Sequence, residues 1–323
     1  MAESGAPPLT VKDAPPQTGP RRLNWWTRIR TYGLSRRQLA WLLFLPSVIV
    51  LVAVLGYPAV RTVYIGMTTD RLDEPWLGQP FTGLRNFHLL SQQSDFWNSL
   101  EMSAYFTIGA VVSELILGMI VALVVNESFR GRGLMRAAML VPWAIPVVLS
   151  ARLFQFMYDV EYGPITVFLR DLHLIGPTFD ILASDKWAMP ALILADVWKN
   201  TPFVALLLLA GLQSVPGDLY ESARVDGANA VQRYLHITLP LLRSSIVIAL
   251  LFRTIAAFQT FDLPYVLTAG GPGTDTEVLS LHAYRTLFSY VNFGLGSAMS
   301  TVLALICIVV AAIMARQLTI EQA

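Results

Sequence analysis

Charge is the first thing this sequence is short of. Only 14% of its 323 residues are charged, while 54% are hydrophobic; ordinary soluble domains carry roughly 25% charged residues. A soluble chain of this length would need that charge to cover its surface, so a soluble globular fold is excluded. Cysteine is nearly absent. Cys307 stands alone, which excludes an internal disulfide, and it is expected only to pack. The histidines, His88, His173, His236 and His282, are scattered without ligand spacing, so no metal site is expected. Lysine is scarce too: three occur and none follows a glycine, so there is no G-x-x-x-x-G-K-[ST] phosphate loop. G-x-S-x-G and H-E-x-x-H are missing as well. GGPG at 270–273 lies in no strand–helix unit and reads as a loop. No cofactor is implied and no nucleic acid. If the work of this chain needs energy, another protein must supply it.

What is there is apolar length. Runs at 39–57, 104–125, 138–158, 189–215, 241–261 and 294–315 approach or exceed the ~20 residues that carry a helix across a bilayer core. The expected fold is therefore all-α, a polytopic membrane protein with about six transmembrane helices. The third and fifth runs are the least regular, because Arg152 and Arg253 lie inside them. With the N-terminus inside, fourteen basic residues fall on the cytoplasmic side and six outside, the bias that sets orientation. Both termini are then cytoplasmic. Residues 1–36, rich in proline and small polar residues, are expected to form a disordered tail. They make no secretory leader, since the first apolar run begins too late and is too long. The membrane domain is set at 37–318 and a short cytoplasmic end at 319–323.

Ionisable residues at bilayer depth usually face the protein interior or a water-filled path. Here they are Glu114, Arg152, Asp196, Lys199, Arg253 and Asp262. Asp196 and Lys199 are three apart and are expected to pair on one helix face; Glu114 is expected to bond a neighbouring helix. In VWKNTPFVALLLL, Pro202 removes a backbone donor and is expected to break or kink the fourth span beside Asn200 and Thr201. RTIAAFQTFD in the fifth span offers Arg253, Gln259, Thr260 and Asp262 with Phe258 and Phe261 interleaved. Aromatic faces among hydroxyl and amide groups suit a sugar.

Between the fourth and fifth runs lies the polar stretch ESARVDGANAVQRYLHITLP, residues 221–240. Asp218 as N-cap with Glu221 three residues on predicts a helix over 219–226, which Gly227 stops. Asn229 with Gln232 repeats the cap pattern, and Pro240 is expected to open the fifth span. Ser222, Ala223, Gly227 and Ala228 are small and allow a partner close approach. An inert connector would need only a few residues. A short capped helix fixed to two spans can transmit a partner's motion to them.

This stretch resembles the EAA loop of binding-protein-dependent ABC importers, with Glu221-Ser222-Ala223, Gly227 and Ile237-Thr238-Leu239-Pro240 in register. Ser222 replaces the central alanine, small for small. The segments LLFLPSVIVLVAVLGYP, ESFRGRGLMRAAMLVPWAIP, DVWKNTPFVALLLLAGLQSVP and FDLPYVLTAGGPGTDTEVLSL look like carbohydrate permeases of the maltose, trehalose and glycerol-phosphate type, in particular the first-named permease of the pair. The resemblance implies a second permease subunit as heterodimer partner, two copies of a cytoplasmic ABC ATPase, an extracytoplasmic sugar-binding protein, and a bacterial-type cytoplasmic (inner) membrane. It implies a cytoplasmic coupling helix within the loop 217–240, with Glu221, Ser222, Ala223, Asp226 and Gly227 meeting the ATPase. It also implies sugar contacts at Asn200, Phe203, Arg253, Ala257 and Thr260, to which the composition of the fifth span adds Gln259. Arg253 departs from a small hydroxyl residue of the maltose pattern, and Ala257 from an amide. FRTIAAFQTFD looks closer to trehalose-type permeases, which favours an α-linked glucose disaccharide. The chain would then be a transport subunit and not an enzyme. Two other readings compete: a proton-coupled secondary sugar transporter working alone through Glu114, Asp196 and Asp262, and a membrane-embedded enzyme. The first has no need of the loop; for the second no nucleophile–base pair or metal cluster is visible.

Overall fold

A computed structural model describes residues 35–320. Among them the chain is helical, with two isolated bridges, Thr68 with Phe81 and Arg71 with Asn292. The α-helices are α1 (Arg36–Leu51), α2 (Tyr57–Gly66), α3 (Arg85–Gln92), α4 (Ser94–Asn126), α5 (Arg132–Met139), α6 (Val141–Ala144), α7 (Val147–Met157), α8 (Pro164–Asp171), α9 (Ala188–Gln213), α10 (Gly217–Val225), α11 (Ala230–Arg233), α12 (Leu239–Leu241), α13 (Arg243–Phe258), α14 (Asp262–Leu267), α15 (Leu279–Phe288) and α16 (Phe293–Ile320). The expected tail lies outside the described residues up to position 34.

Among the described residues the chain divides into two compact units, the first ending at position 59 and the second beginning at position 60. In the first, Ser35 and Gln38 form a capping box that starts α1 at Arg36. A π turn, Val52–Gly56, follows α1, closed by the Tyr57 N–H on the Val52 carbonyl. Pro58 comes two residues later. Its ring would crowd the carbonyl four residues back, and the wider turn moves that carbonyl aside. The helix therefore continues, and the first apolar helix covers Arg37–Gly66 instead of ending at 57, with none of its most apolar window buried.

The second unit is built on α4 and α9, which make the most extensive helix pair in the chain. A Cβ on Gly109 would meet Ile193 and one on Gly118 would meet Val204, while Ala110, Ala122, Ala191, Ala195 and Ala205 are buried. Lipid tails are as apolar as the helices, so close backbone approach through small residues supplies the packing. One core cluster gathers Phe106, Leu192, Ala257 and Leu281, and a second Ala122, Leu208 and Leu242.

Among the described residues four helices are long and apolar enough to cross a membrane, and two bent pairs raise this to as many as six. The bent pairs are the runs holding Arg152 and Arg253. The segment through α5 and α6 meets α7 at 92°. Pro146 caps α7 and holds Ile145 extended, the conformation a following proline enforces. The segment from α11 to α12 meets α13 at 65°. A second π turn, Tyr234–Thr238, stands two residues before Pro240 and is closed by the Leu239 N–H on Tyr234. Pro240 thus lies in the first limb, and the span proper begins at Arg243, not at the proline.

α9 runs continuously for 26 residues with Pro202 inside, so the span is not broken there. Pro202 deprives the Trp198 carbonyl of its usual amide donor. The carbonyls of Val197 and Asp196 gain side-chain donors instead, the Thr201 hydroxyl at 2.6 Å and the Asn200 amide at 3.2 Å.

Candidate functional site

Two regions carry the expected functional residues. The first is the loop between α9 and α13. Its helix α10 spans Gly217–Val225, has no buried residue, and is preceded by Pro216 with no side-chain cap. Asp218 is therefore not the N-cap; it sits in the first turn, where its carboxylate faces the positive end of the helix dipole. At the other end Gly227 has φ +80°. The Gly227 N–H bonds the Arg224 carbonyl and the Ala228 N–H bonds that of Ala223, a Schellman stop needing a left-handed residue. Asn229 and Gln232 form the expected capping box for α11. The Tyr220 hydroxyl lies 3.0 Å from that of Thr238, tying α10 to the π turn. Glu221, Ser222, Asp226 and Gly227 are exposed and Ala223 is half-buried. Ala223, Asp226, Gly227, Ala228 and His236 line a recess of ≈ 460 Å³ on one side of the loop. On the other side, Tyr220, Glu221, Arg224 and Arg233 help to line a cavity of ≈ 610 Å³ against the ends of α4 and α9.

The second region is the polar stripe of α9. Asp196, Lys199, Asn200 and Phe203 follow at intervals of three and four and share one helix face. Asp196 and Lys199 do not form the expected ion pair. Arg253 of α13 bonds Asp196 Oδ2 at 2.7 Å and Glu114 of α4 at 2.5 Å through Nε and 2.7 Å through Nη2. Both carboxylates thus go to a guanidinium, whose planar fork fits them better than an ammonium would. Lys199 Nζ reaches the Trp143 carbonyl at 3.1 Å. Asn200 donates its amide to Asp196 Oδ1 at 2.8 Å. Phe203 stacks on Trp143 with centroids 5.9 Å apart and meets Phe252 edge-on at 6.4 Å.

Of the other expected sugar contacts, Ala257 is buried in the first core cluster and Arg253 is buried behind Asn200. A guanidinium inside a membrane protein needs counter-charge, and Arg253 finds it in its own chain. Gln259 is exposed just past α13, and Thr260 is half-buried, its carbonyl accepting from Ser280. Asn200, Phe203 and Arg253 are brought together, whereas Gln259 and Thr260 lie one turn or more beyond. Phe261 packs with Tyr265 and Tyr284 and is partly buried against the core. Sequence reasoning did not select Trp143 or Phe252 as neighbours of Phe203. An indole two residues before the Ile145–Pro146 corner was the available sign for the first.

A third cluster lies between α14 and α16. Buried Glu277 bonds His282 Nδ1 at 2.8 Å and also pairs with Arg285, which reaches the Ala269 carbonyl. Burial pushes the Glu277 carboxyl up, but the His282 hydrogen bond and the charges of Arg285 and His282 outweigh it and hold it below its ordinary value.

Residues 114–318 match the family described as the binding-protein-dependent transport system inner membrane component. The chain is 41% identical over 264 residues to the trehalose/maltose transport system permease protein MalF of Thermococcus litoralis, covering 81% of this chain and 88% of that one. It is 38% identical to the sulfoquinovosyl glycerol transport system permease protein SmoG of Agrobacterium fabrum, over 92% of this chain and 94% of the other. It is 36% identical to the trehalose transport system permease protein SugA of Mycobacterium tuberculosis, over 84% and 85%. In fold it resembles the crystal structure of a bacterial ABC transporter involved in the import of the acidic polysaccharide alginate. The TM-score is 0.74 at 23% identity, over 91% of this chain and 98% of that one.

Proposed function

This chain belongs to the inner-membrane components of binding-protein-dependent transport systems, and from that premise we propose that it imports a disaccharide of the trehalose or maltose kind. The chain is a permease subunit of an ATP-driven sugar importer. In the proposed assembly it pairs with a second permease, two copies of an ATPase dock on the cytoplasmic face, and an extracytoplasmic binding protein delivers the sugar. ATP hydrolysis belongs to the ATPase. The observation that carries this reading is α10: a short helix with no buried residue, stopped by the left-handed Gly227 and fastened through Tyr220 to the chain entering α13. Motion imposed on such a helix reaches α9 and α13 directly; α9 holds Asn200 and Phe203, and Gln259 and Thr260 follow the end of α13, these four being the groups proposed to meet the sugar.

Trehalose suits the reading because two of the similar permeases are named for it, and Phe203 offers an aromatic face beside amide and hydroxyl groups. Both termini and α10 are proposed to be cytoplasmic, with residues 37–318 forming the transporter domain. The test is reconstitution of the four-component assembly in liposomes. Trehalose or maltose uptake should require ATP, the binding protein and the ATPase together. Uptake by the purified chain alone would instead support secondary transport.

A further inference from the structure

We propose that Glu114, Asp196 and Arg253 form a buried strut across three spans whose task is to present Asn200 to the pathway as a hydrogen-bond acceptor only. The inference rests on the transport reading above and deepens it. Glu114 belongs to α4, Asp196 to α9 and Arg253 to α13, and each is less than a tenth exposed within this single chain. Burial inside the chain persists in any assembly, so the strut lies behind the pathway and not in it.

The geometry leaves Asn200 little choice. Its Nδ2 donates to Asp196 Oδ1 at 2.8 Å and to the Asp196 carbonyl at 3.2 Å. A carboxamide nitrogen has two hydrogens, and both are engaged. The two acceptors also fix which amide atom is nitrogen, because an oxygen there would face two oxygens. Oδ1 is left pointing away with no hydrogen-bond partner among the described residues, on a side chain that is half-buried. Asp196 can hold the amide this way because its other oxygen is pinned by Arg253 at 2.7 Å, and Arg253 is pinned by both oxygens of Glu114. Asn200 therefore selects a solute that donates an O–H there and disfavours a carboxylate or an ether. Arg253 acts through Asp196 as a positioning residue.

The test uses the complete importer in membrane vesicles with trehalose, maltose and the monodeoxy analogues of each. Neutral hydrogen bonds of ~0.5–1.5 kcal/mol correspond to roughly 2- to 10-fold in selectivity. The unaltered complex should discriminate against at least one analogue by that factor. Asp196→Asn lets the Asn200 amide turn, so this discrimination should fall towards one while the maximal rate with the parent sugar changes less. Asn200→Ala should remove it, and adding Asp196→Asn to Asn200→Ala should change the discrimination no further, as expected when one residue acts through another. Glu114→Gln, the mildest change, should fall between. Equal loss of rate for parent and analogues in Asp196→Asn would overturn the proposal, leaving the strut merely structural. A second arm needs no particular sugar. In a Cys307→Ser background, Asn200→Cys should react with a water-soluble maleimide, whereas Ala257→Cys should not. Labelling at Asn200 without uptake of either disaccharide would refute the proposed substrate and support the exposed acceptor. An unreactive Asn200→Cys would overturn the inference whichever sugar is moved.

Discussion

Arg253 has most to lose at the scale of single residues. Two buried carboxylates from different helices converge on one guanidinium, and removing it leaves both without their counter-charge. Arg253→Met should destabilise the folded chain by about 3–5 kcal/mol, the usual cost of breaking a buried pair by removing one partner. Replacing all three members together (Glu114→Gln, Asp196→Asn, Arg253→Met) should recover much of that loss, since a neutral set leaves no stranded charge. Thermal unfolding of the purified complex, compared between the single and the triple variant, checks both statements; equal midpoints would show that the charges are not coupled. Gly227 is the second sensitive position. A side chain there must enter the left-handed region, at roughly 1–2 kcal/mol, and Gly227→Pro adds loss of the N–H that closes the helix on Arg224.

Elements turn those residues into a device. α10 has no buried residue, yet it is closed at its end by two backbone bonds and held by Tyr220 to the π turn. Glu221→Lys, Ala223→Trp and Gly227→Pro should each reduce co-purification of the ATPase and uptake in the same cells, while the chain still reaches the membrane and pairs with its partner permease. Gly227→Pro should be the severest. Normal docking and uptake in all three would make α10 a mere connector. Much of this element was legible in the sequence: the glycine stop and the Asn229–Gln232 box are local, and local chemistry is written in neighbouring residues. The start was misjudged because Pro216 already fixes the chain's entry, so α10 begins before Asp218 can cap it. The unbroken α9 was missed for a related reason. Pro202 announces a lost donor, but the back-bonds from Thr201 and Asn200 that support the neighbouring turn depend on side-chain rotamers. The Glu114–Arg253 contact spans 139 positions. The sequence placed each charge at bilayer depth but could not show which would meet.

At the scale of the whole molecule the apolar runs were legible, and three departures in shape are proline effects, the π turns ahead of Pro58 and Pro240 and the bend at Pro146. The proposed topology rests on the basic residues. A reporter at the C-terminus or within 217–240 should be cytoplasmic, and one near Asp73 or Asp180 extracytoplasmic. Finding the loop reporter outside would remove the premise that α10 meets an ATPase. The cluster around Glu277 also carries a pH dependence. The Glu277 carboxyl is held below its ordinary value of 4.5, so its ionised pairing with His282 and Arg285 contributes stability in full above that value. The contribution is lost as pH falls below 4.5 and through the lowered value. Acid-induced unfolding of the complex should therefore become shallower in Glu277→Gln, measured as the change in thermal midpoint between neutral and acidic buffer.

The buried strut has an electrical consequence as well. Glu114 and Asp196 carry two formal negative charges, and Arg253 and neighbouring Lys199 two positive ones, all inside the spans. Carrying one elementary charge through the membrane field exchanges about 2.3 kcal/mol per 100 mV. A solitary guanidinium rocking with α13 would make the switching rate sense voltage. A set whose formal charges cancel does no net electrical work when it shifts as one body, and the membrane potential then neither helps nor hinders the rocking in which it takes part.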